Sequence, residues 1–144
     1  MRNILLLISM LGLLPAGCGR TVSDTDTVSC DTFVYSVKGG DSLRLDRYTD
    51  TPAAEIDAKK PCMIFVFGGA FISGTRDAES YRPFFEYMAR EQGYTVVSID
   101  YRLGLKEPLA AGKLSPETFP QLLPQTVLMA VEDLYDCLLY TSDA

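Results

Sequence analysis

Two adjacent glycines, Gly68 and Gly69, followed by the nearly as small Ala70, are the residues in this sequence best suited to chemistry. Glycine tolerates positive φ and carries no side chain, so backbone N–H groups at these positions can approach a ligand closely. A further glycine, Gly74, follows within a few residues. The spacing therefore predicts a loop that presents backbone donors to a ligand.

The residues before these glycines predict the element that holds the loop. Residues 63–67 are Met, Ile, Phe, Val and Phe, an apolar run without alternation. This pattern is typical of a strand that is buried on both faces of a largely parallel sheet. Such a sheet implies an α/β fold in which the strand delivers the glycine loop.

The loop and its flanks resemble a known family signature. An aromatic residue, Gly-Gly-Ala, Phe and a later glycine form the oxyanion-loop pattern of α/β-hydrolase carboxylesterases. The resemblance implies that the loop follows the third strand, and that the N–H groups of Gly69 and Ala70 stabilise the negative oxygen of a tetrahedral intermediate. Many lipase-type members have His where this chain has Phe, but backbone donors are not lost by that change. The residues that match the signature are Phe67, Gly68, Gly69, Ala70, Phe71 and Gly74, of which Gly68, Phe71 and Gly74 would support the loop.

Other interpretations of the glycines start from their spacing. A Walker loop needs Lys after its last glycine, and Thr75 follows Gly74. In a dinucleotide-binding fingerprint Asp100 would fit the acid after the next strand, but the glycine spacing does not fit. A tight strand exit without chemistry stays open. Two other function classes also stay open, a non-catalytic surface lipoprotein that uses a βαβ core for binding and a nucleotide-binding α/β domain.

The rest of the chain supplies the elements of such a sheet. Alternation on both sides of a turn at 38–41 predicts a hairpin, which resembles the antiparallel opening pair of esterases. Helical spacing predicts a crossover helix capped by Gly93 and a later amphipathic helix, with a loop between strand and helix at 104–120. Strand, glycine loop, helix and strand form a right-handed βαβ unit by the usual handedness rule. The expected bounds are 32–37 and 42–48 for the hairpin, 77–92 for the crossover helix, 94–100 for the next strand and 124–135 for the last helix.

The sequence Asp-Tyr-Arg-Leu at 100–103 ends the second strand of that unit. It resembles a motif that follows the fourth strand of esterases, where it looks structural. We therefore expect Asp100 and Arg102 to make hydrogen bonds that hold loops. We also expect the sheet to end at the 94–100 strand, which would leave an apolar edge on an isolated chain that does not fold stably.

The groups of an acyl-transfer triad are missing. The sequence contains no His and no G-x-S-x-G motif, and Ser73 lacks the first half of that motif and lies on the oxyanion loop, so we reject it as a nucleophile. In the family, Ser, acid and His follow the helix at which this chain stops. The resemblance therefore covers Cys30 to about Asp136, the N-terminal third of a serine carboxylesterase that acts on small-molecule esters. The chain alone is expected to be inactive.

No metal, cofactor or nucleic acid is expected as a partner. Cys30, Cys62 and Cys137 lie too far apart in sequence to suggest a metal site, and the carboxylates show no ligand spacing. Serine esterases, which the chain resembles, usually need no cofactor. The net charge of −6 provides no basic stripe for phosphates. At 144 residues the chain is also shorter than the roughly 200 or more that a complete α/β-hydrolase sheet needs.

The start of the chain predicts export. Arg2 followed by an apolar run at 4–14, too short to span a bilayer as a mature helix, indicates a signal peptide at 1–17. The sequence Leu-Pro-Ala-Gly-Cys resembles a bacterial lipobox, which implies lipidation of Cys18 and a membrane anchor in the cell envelope. Ordinary cleavage and secretion, with Cys18 left as a thiol, is the alternative. A Thr-, Ser- and Asp-rich tether is predicted at 18–29, and a partial α/β-hydrolase domain at 30–136.

The last eight residues, CLLYTSDA at 137–144, form a separate unit in this interpretation. They resemble the translation, in one frame, of the adapter used in tagmentation sequencing libraries. We therefore expect native sequence to end at about Asp136 and Cys137 to have no structural role. A natural frayed terminus is the alternative.

Overall fold

A computed structural model describes residues 27–51 and 60–143. The predicted signal peptide, Cys18 and most of the tether lie outside the described residues. The elements in chain order are β1 (Ser29–Lys38), β2 (Asp41–Thr49), β3 (Cys62–Val66), α1 (Arg82–Arg90), β4 (Thr95–Ile99), α2 (Lys106–Ala110) and α3 (Phe119–Asp143).

The first two strands form the predicted antiparallel hairpin. Phe33 lies opposite Leu45, and the register shifts once, between Val34 and Ser36. The two turn residues, Gly39 and Gly40, have φ of 62° and 91°, and a two-residue turn of this kind requires positive φ at both central positions. The hairpin prediction is confirmed, with strands that extend beyond the expected bounds.

The four strands form one mixed sheet in the order β1-β2-β4-β3. β4 pairs antiparallel with β2 and parallel with β3. All five residues of β4 are buried, whereas β3 lies at the edge and Val66 is 44% exposed. Two expectations are therefore wrong. β3 is not buried on both faces, and the sheet ends at β3 instead of at the 94–100 strand, because β4 inserts between β2 and β3.

Helix α1 begins five residues later than predicted. Its second residue is Pro83, and proline is tolerated in the first turn of a helix because the N–H it lacks has no partner there. The helix therefore starts at Arg82 instead of near residue 77. Its C-cap is Glu91, and Gly93, the expected cap, follows with φ of 71°.

The region between β4 and the last helix also differs from the expected loop. It contains the short helix α2, and α3 begins at Phe119, with Pro124 inside the helix instead of at its start. The side chains of Ser115 and Thr118 hydrogen bond to backbone N–H groups of the turn before α3, the shortest of these bonds at 2.8 Å from the Ser115 N–H to Thr118 Oγ1. None of the helices among the described residues is long and apolar enough to cross a membrane.

The helices cover opposite faces of the sheet, because alternate strand residues point to opposite sides. Phe85 of α1 is fully buried against Tyr48 and Val96, and its ring centroid lies 4.9 Å from that of Phe65. On the other face α3 packs on a second cluster. Its buried residues are Tyr35, Leu43, Leu45, Val97, Ile99 and Cys137.

The end of α3 differs from expectation in one respect. Cys137 is fully buried in the second cluster and so has a structural role in this packing. That native sequence ends near Asp136 stays a prediction. The opposite side of the helix, which we call the outer face of α3, is apolar and exposed. It consists of Val127, Leu128, Val131, Tyr135, Leu138 and Leu139.

Candidate functional site

The glycine loop, residues 67–76, leaves the end of β3, the third strand along the chain, as the sequence predicts. Gly69 has φ of 140°, and a Cβ atom there would lie 1.8 Å from the carbonyl oxygen of Ser73. The Ile72 and Ser73 N–H groups donate to the Gly69 carbonyl at 3.0 and 3.2 Å, which closes a tight turn. Only glycine fits at position 69.

The other two glycines of the loop differ from each other. Gly74 has φ of 114°, and a Cβ there would lie 2.4 Å from Cδ2 of Phe67 and 2.7 Å from the Gly68 carbonyl oxygen. The loop folds back on itself at this point, so Gly74 is required for close approach. A Cβ at Gly68 would meet nothing within 4 Å. The loop therefore has room for a side chain at position 68, whereas it has none at positions 69 and 74.

Two residues that are not glycine adopt left-handed backbone conformations in this loop. Ala70 has φ of 53° and Phe71 has φ of 61°. Each such conformation costs an L-residue about 1–2 kcal/mol. Conformations of this kind concentrate at functional sites and persist only where surrounding contacts hold them. The strain therefore marks the same residues that the sequence motif marks.

The N–H groups at the centre of the loop have no acceptor. Within residues 27–51 and 60–143, neither the Gly69 N–H nor the Ala70 N–H donates a hydrogen bond, and both residues are exposed. Successive backbone N–H groups of this kind form a binding site for an anion or a developing oxyanion. The arrangement can bind negative charge without any side chain.

The start and middle of the loop are held by the segment that follows β4. The Tyr101 hydroxyl donates to the Phe67 carbonyl at 2.9 Å, and the two ring centroids lie 4.6 Å apart. The Leu105 N–H donates to the Phe71 carbonyl at 3.1 Å. Burial raises the pKa of Tyr101 above its ordinary value. Sequence analysis did not identify Tyr101 or Leu105 as loop supports.

The end of the loop is held by Arg76, which sequence analysis also missed. Its Nη1 lies 2.9 Å from Asp100 and its Nε 3.1 Å from the buried Asp46, while the Ser98 hydroxyl donates to its carbonyl at 2.8 Å. Burial acts to lower the pKa of Arg76, but the carboxylates of Asp100 and Asp46 outweigh it and the pKa is raised. The one signal in the sequence was Ser98, a polar residue between the apolar Val97 and Ile99 of β4.

The expected loop-holding roles of Asp100 and Arg102 are confirmed. Asp100 also accepts from the Arg44 N–H at 3.2 Å. Asp133, fully buried on α3, accepts from the Arg102 N–H at 2.8 Å and from its Nε at 3.0 Å, and this hydrogen bonding raises the pKa of Arg102. A Cβ at Gly104 would lie 2.9 Å from Oγ1 of Thr126, so α3 packs closely on this segment.

A second site would need metal-ligating or nucleophilic side chains elsewhere among the described residues. In the part of the chain that the structure describes, no group of three or more Cys, Asp or Glu side chains could hold a metal ion. Ser73 lies on the glycine loop, and no His exists in the sequence to activate it. The described residues thus contain one loop with two N–H groups that donate to no acceptor, together with the residues that support it.

Comparison with known proteins places this loop in context. A sequence model of the carboxylesterase family matches residues 16–109. A non-reducing polyketide synthase of Aspergillus terreus is 34% identical over 100 residues, which are 69% of this chain and 4% of that protein. A probable N-octanoylanthranilate hydrolase of Rhodococcus erythropolis is 36% identical over 83 residues, 58% of this chain and 18% of that protein.

Solved structures similar to this chain include two of Thermogutta terrifontis esterases. Esterase 2 phosphorylated by paraoxon is 30% identical, with a TM-score of 0.43, over 52% of this chain and 27% of that chain. The native thermophilic esterase from the same organism is 32% identical, with a TM-score of 0.43, over 52% of this chain and 25% of that one. This chain thus spans about a quarter of each structure and less of each sequence relative.

Proposed function

The chain belongs to the carboxylesterase family, and from that premise we propose that it is the N-terminal, oxyanion-loop portion of a serine hydrolase that cleaves small-molecule carboxylic esters. Its antiparallel hairpin and the βαβ unit formed by β3, α1 and β4 are the part of an α/β-hydrolase fold that the chain contains. The observation that carries the proposal is the pair of exposed N–H groups at Gly69 and Ala70, which have no acceptor among the described residues.

The proposed chemistry assigns this loop one task. A serine hydroxyl attacks the ester carbonyl while a histidine takes its proton, and the carbonyl oxygen becomes an oxyanion. The Gly69 and Ala70 N–H groups donate to that oxyanion more strongly than to the neutral ester, which stabilises the transition state relative to the ground state. When the intermediate collapses, the proton passes to the leaving alcohol, and water then hydrolyses the acyl-enzyme. The serine, the histidine and the acid that orients it lie outside these 144 residues.

The first experiment extends the sequence and then tests activity. Amplification from source DNA with a primer upstream of the Asp136 codon should yield a reading frame that continues through G-x-S-x-G, a later acid and a later His. The full-length protein should hydrolyse p-nitrophenyl butyrate, and replacing the predicted serine by Ala should abolish hydrolysis. A frame that encodes Cys137 to Ala144 and then a stop codon would make the non-catalytic lipoprotein the leading hypothesis.

We also propose that the protein is exported and anchored through Cys18, on the lipobox-like sequence before that residue. In a bacterial host the protein should incorporate labelled palmitate, and Cys18→Ala should abolish incorporation. Cys30→Ala is the matched control, because it removes a thiol twelve positions later and leaves the lipobox intact. Labelling that survives Cys18→Ala would exclude the anchor.

A further inference from the structure

Tyr101 contacts the glycine loop on both sides of its free N–H groups. Its hydroxyl donates to the carbonyl of Phe67, and its ring packs on Phe67. The same ring meets that of Phe71 edge-on, with centroids 6.0 Å apart. Gly69 and Ala70 lie between these two contacts in the chain. One buried side chain therefore holds the residues that enter and leave the site of the free donors.

The loop needs such support, because Ala70 and Phe71 adopt left-handed conformations that persist only when neighbouring contacts determine them. Phe67 is the first residue after β3, and rotation of the peptide that carries its carbonyl would redirect the N–H groups that follow it. Among the described residues, the Tyr101 hydroxyl is the one side-chain donor to this carbonyl. Without it, a buried carbonyl would lose its hydrogen bond and the loop would shift to find another.

Tyr101 is itself fixed from the opposite side. The next residue, Arg102, is bound through its N–H and its guanidinium to Asp133 of α3. Further along, the Leu105 N–H donates to the Phe71 carbonyl. The backbone around Tyr101 is thus anchored both to α3 and to the glycine loop, so its side chain has a defined position from which to act.

We infer that Tyr101 is a positioning residue for the oxyanion hole, one that sets the direction of the Gly69 and Ala70 N–H groups through the Phe67 carbonyl and the Phe71 ring. The inference rests on the proposed function for the identity of the bound oxyanion. It assigns Tyr101 no contact with substrate. Its effect should therefore appear in turnover and in the order of the loop, while substrate affinity stays the same.

The test compares Tyr101→Phe with Tyr35→Phe in the full-length protein. Tyr35→Phe is the matched control, because it also removes a buried hydroxyl that donates to a backbone carbonyl, that of Asp100 at 2.5 Å, but contacts no residue of the loop's centre. Tyr101→Phe should lower kcat about tenfold with KM within about twofold, less than the roughly 100- to 1000-fold that follows removal of a donor itself. Tyr35→Phe should leave kcat within about twofold of wild type.

A second readout is independent of activity. Amide hydrogen exchange should become faster in Tyr101→Phe, and not in Tyr35→Phe, at Ile72, Ser73 and Leu105, whose N–H groups donate to loop carbonyls. Unchanged exchange at these amides together with unchanged kcat would overturn the inference. Faster exchange with unchanged kcat would uphold Tyr101 as the support of the loop and show that this loop is not the oxyanion hole, which would refute the proposed function instead.

Discussion

The glycine loop and the outer face of α3 differ in their contacts: other described residues hold the loop, but none of them covers the outer face of α3. The loop is held at its start by the Tyr101 hydroxyl and at its end by the ion pairs of Arg76, and between them the Gly69 and Ala70 N–H groups donate to no acceptor among the described residues. The outer face of α3 leaves Leu128 57% and Tyr135 60% exposed, with nothing packed on them among the described residues. The loop and its supports thus both lie among the described residues, whereas those residues leave the outer face of α3 uncovered.

The largest expected effect concerns the stability of the chain by itself. Because the outer face of α3 and the edge of β3 remain uncovered, residues 19–136 in isolation should show no cooperative thermal transition and should bind a hydrophobic dye. The full-length protein should unfold with the roughly 5–15 kcal/mol typical of native domains. Calorimetry of both proteins checks this. A cooperative transition of monomeric 19–136 would contradict this prediction, because it would show that the chain folds stably with the outer face of α3 uncovered.

A substitution in the loop should have the next largest effect. Gly69→Ala places a Cβ against the Ser73 carbonyl in a conformation that L-residues avoid, so it should destabilise the full-length protein by at least about 2 kcal/mol. Gly68→Ala is the matched control, because its Cβ would enter open space and Gly→Ala at such a position is neutral or stabilising by up to about 1 kcal/mol. Equal melting temperatures for the two variants would mean that the loop is not folded as described.

The smallest effect is expected where α3 attaches to the hairpin through a partly exposed ion pair between Lys38 and Asp136. Hydrogen bonds from Lys38 Nζ at 2.8 Å and from Ser36 Oγ at 3.0 Å lower the pKa of Asp136 below its ordinary value. The stabilisation is therefore present above about pH 4, the pKa in the unfolded chain, and is lost as pH falls through the lower folded value. Asp136→Asn should lower the melting temperature at pH 7 by less than about 3 °C.

The check on this ion pair is a pH series of melting curves for wild type and Asp136→Asn. The difference between them should shrink below pH 4, and also in high salt because the pair is accessible to solvent and is therefore partly screened. The matched control is Arg90→Gln, which alters another exposed charged side chain far from α3. A difference that grows as the pH falls would contradict the assigned direction of the Asp136 pKa.

The sequence predicts the position of the glycine loop well and the burial of β3 poorly, because the two depend on different kinds of contact. The pattern that identifies the loop lies within Phe67 to Gly74, where residue sizes and backbone freedom can be recognised directly, although the contacts from Tyr101 that hold the loop are long-range. Strand order depends on long-range pairing, so the apolar run of β3 shows that the strand requires burial, while its edge position appears only in the sheet. The same holds for Arg76, whose two carboxylate partners lie 24 or more residues away.

The sequence predicts the existence of α1 and α3 correctly but not the residues at which they begin. The spacing of apolar residues identified α1 and α3, but their ends depend on local features that periodicity does not report. Pro83 fixes the start of α1, and the turn formed by Ser115 and Thr118 fixes the start of α3. These signals were present in the sequence and could have corrected the bounds. The expectation that Cys137 has no structural role rests on the resemblance of residues 137–144 to a translated adapter. Such a resemblance carries no information about packing, and the structure buries Cys137.

The central claim, that the Gly69 and Ala70 N–H groups stabilise the oxyanion, is tested most directly by removing one of those hydrogens without moving the loop. Replacing Ala70 in the full-length enzyme by its α-hydroxy acid analogue turns the amide into an ester and deletes the N–H while keeping the side chain. The same replacement at Ala130, inside α3, is the control. We predict that kcat falls about 100- to 1000-fold at position 70, as for loss of one oxyanion donor, and less than about twofold at position 130. Equal, small decreases at both positions would contradict the claim and move the oxyanion donors elsewhere.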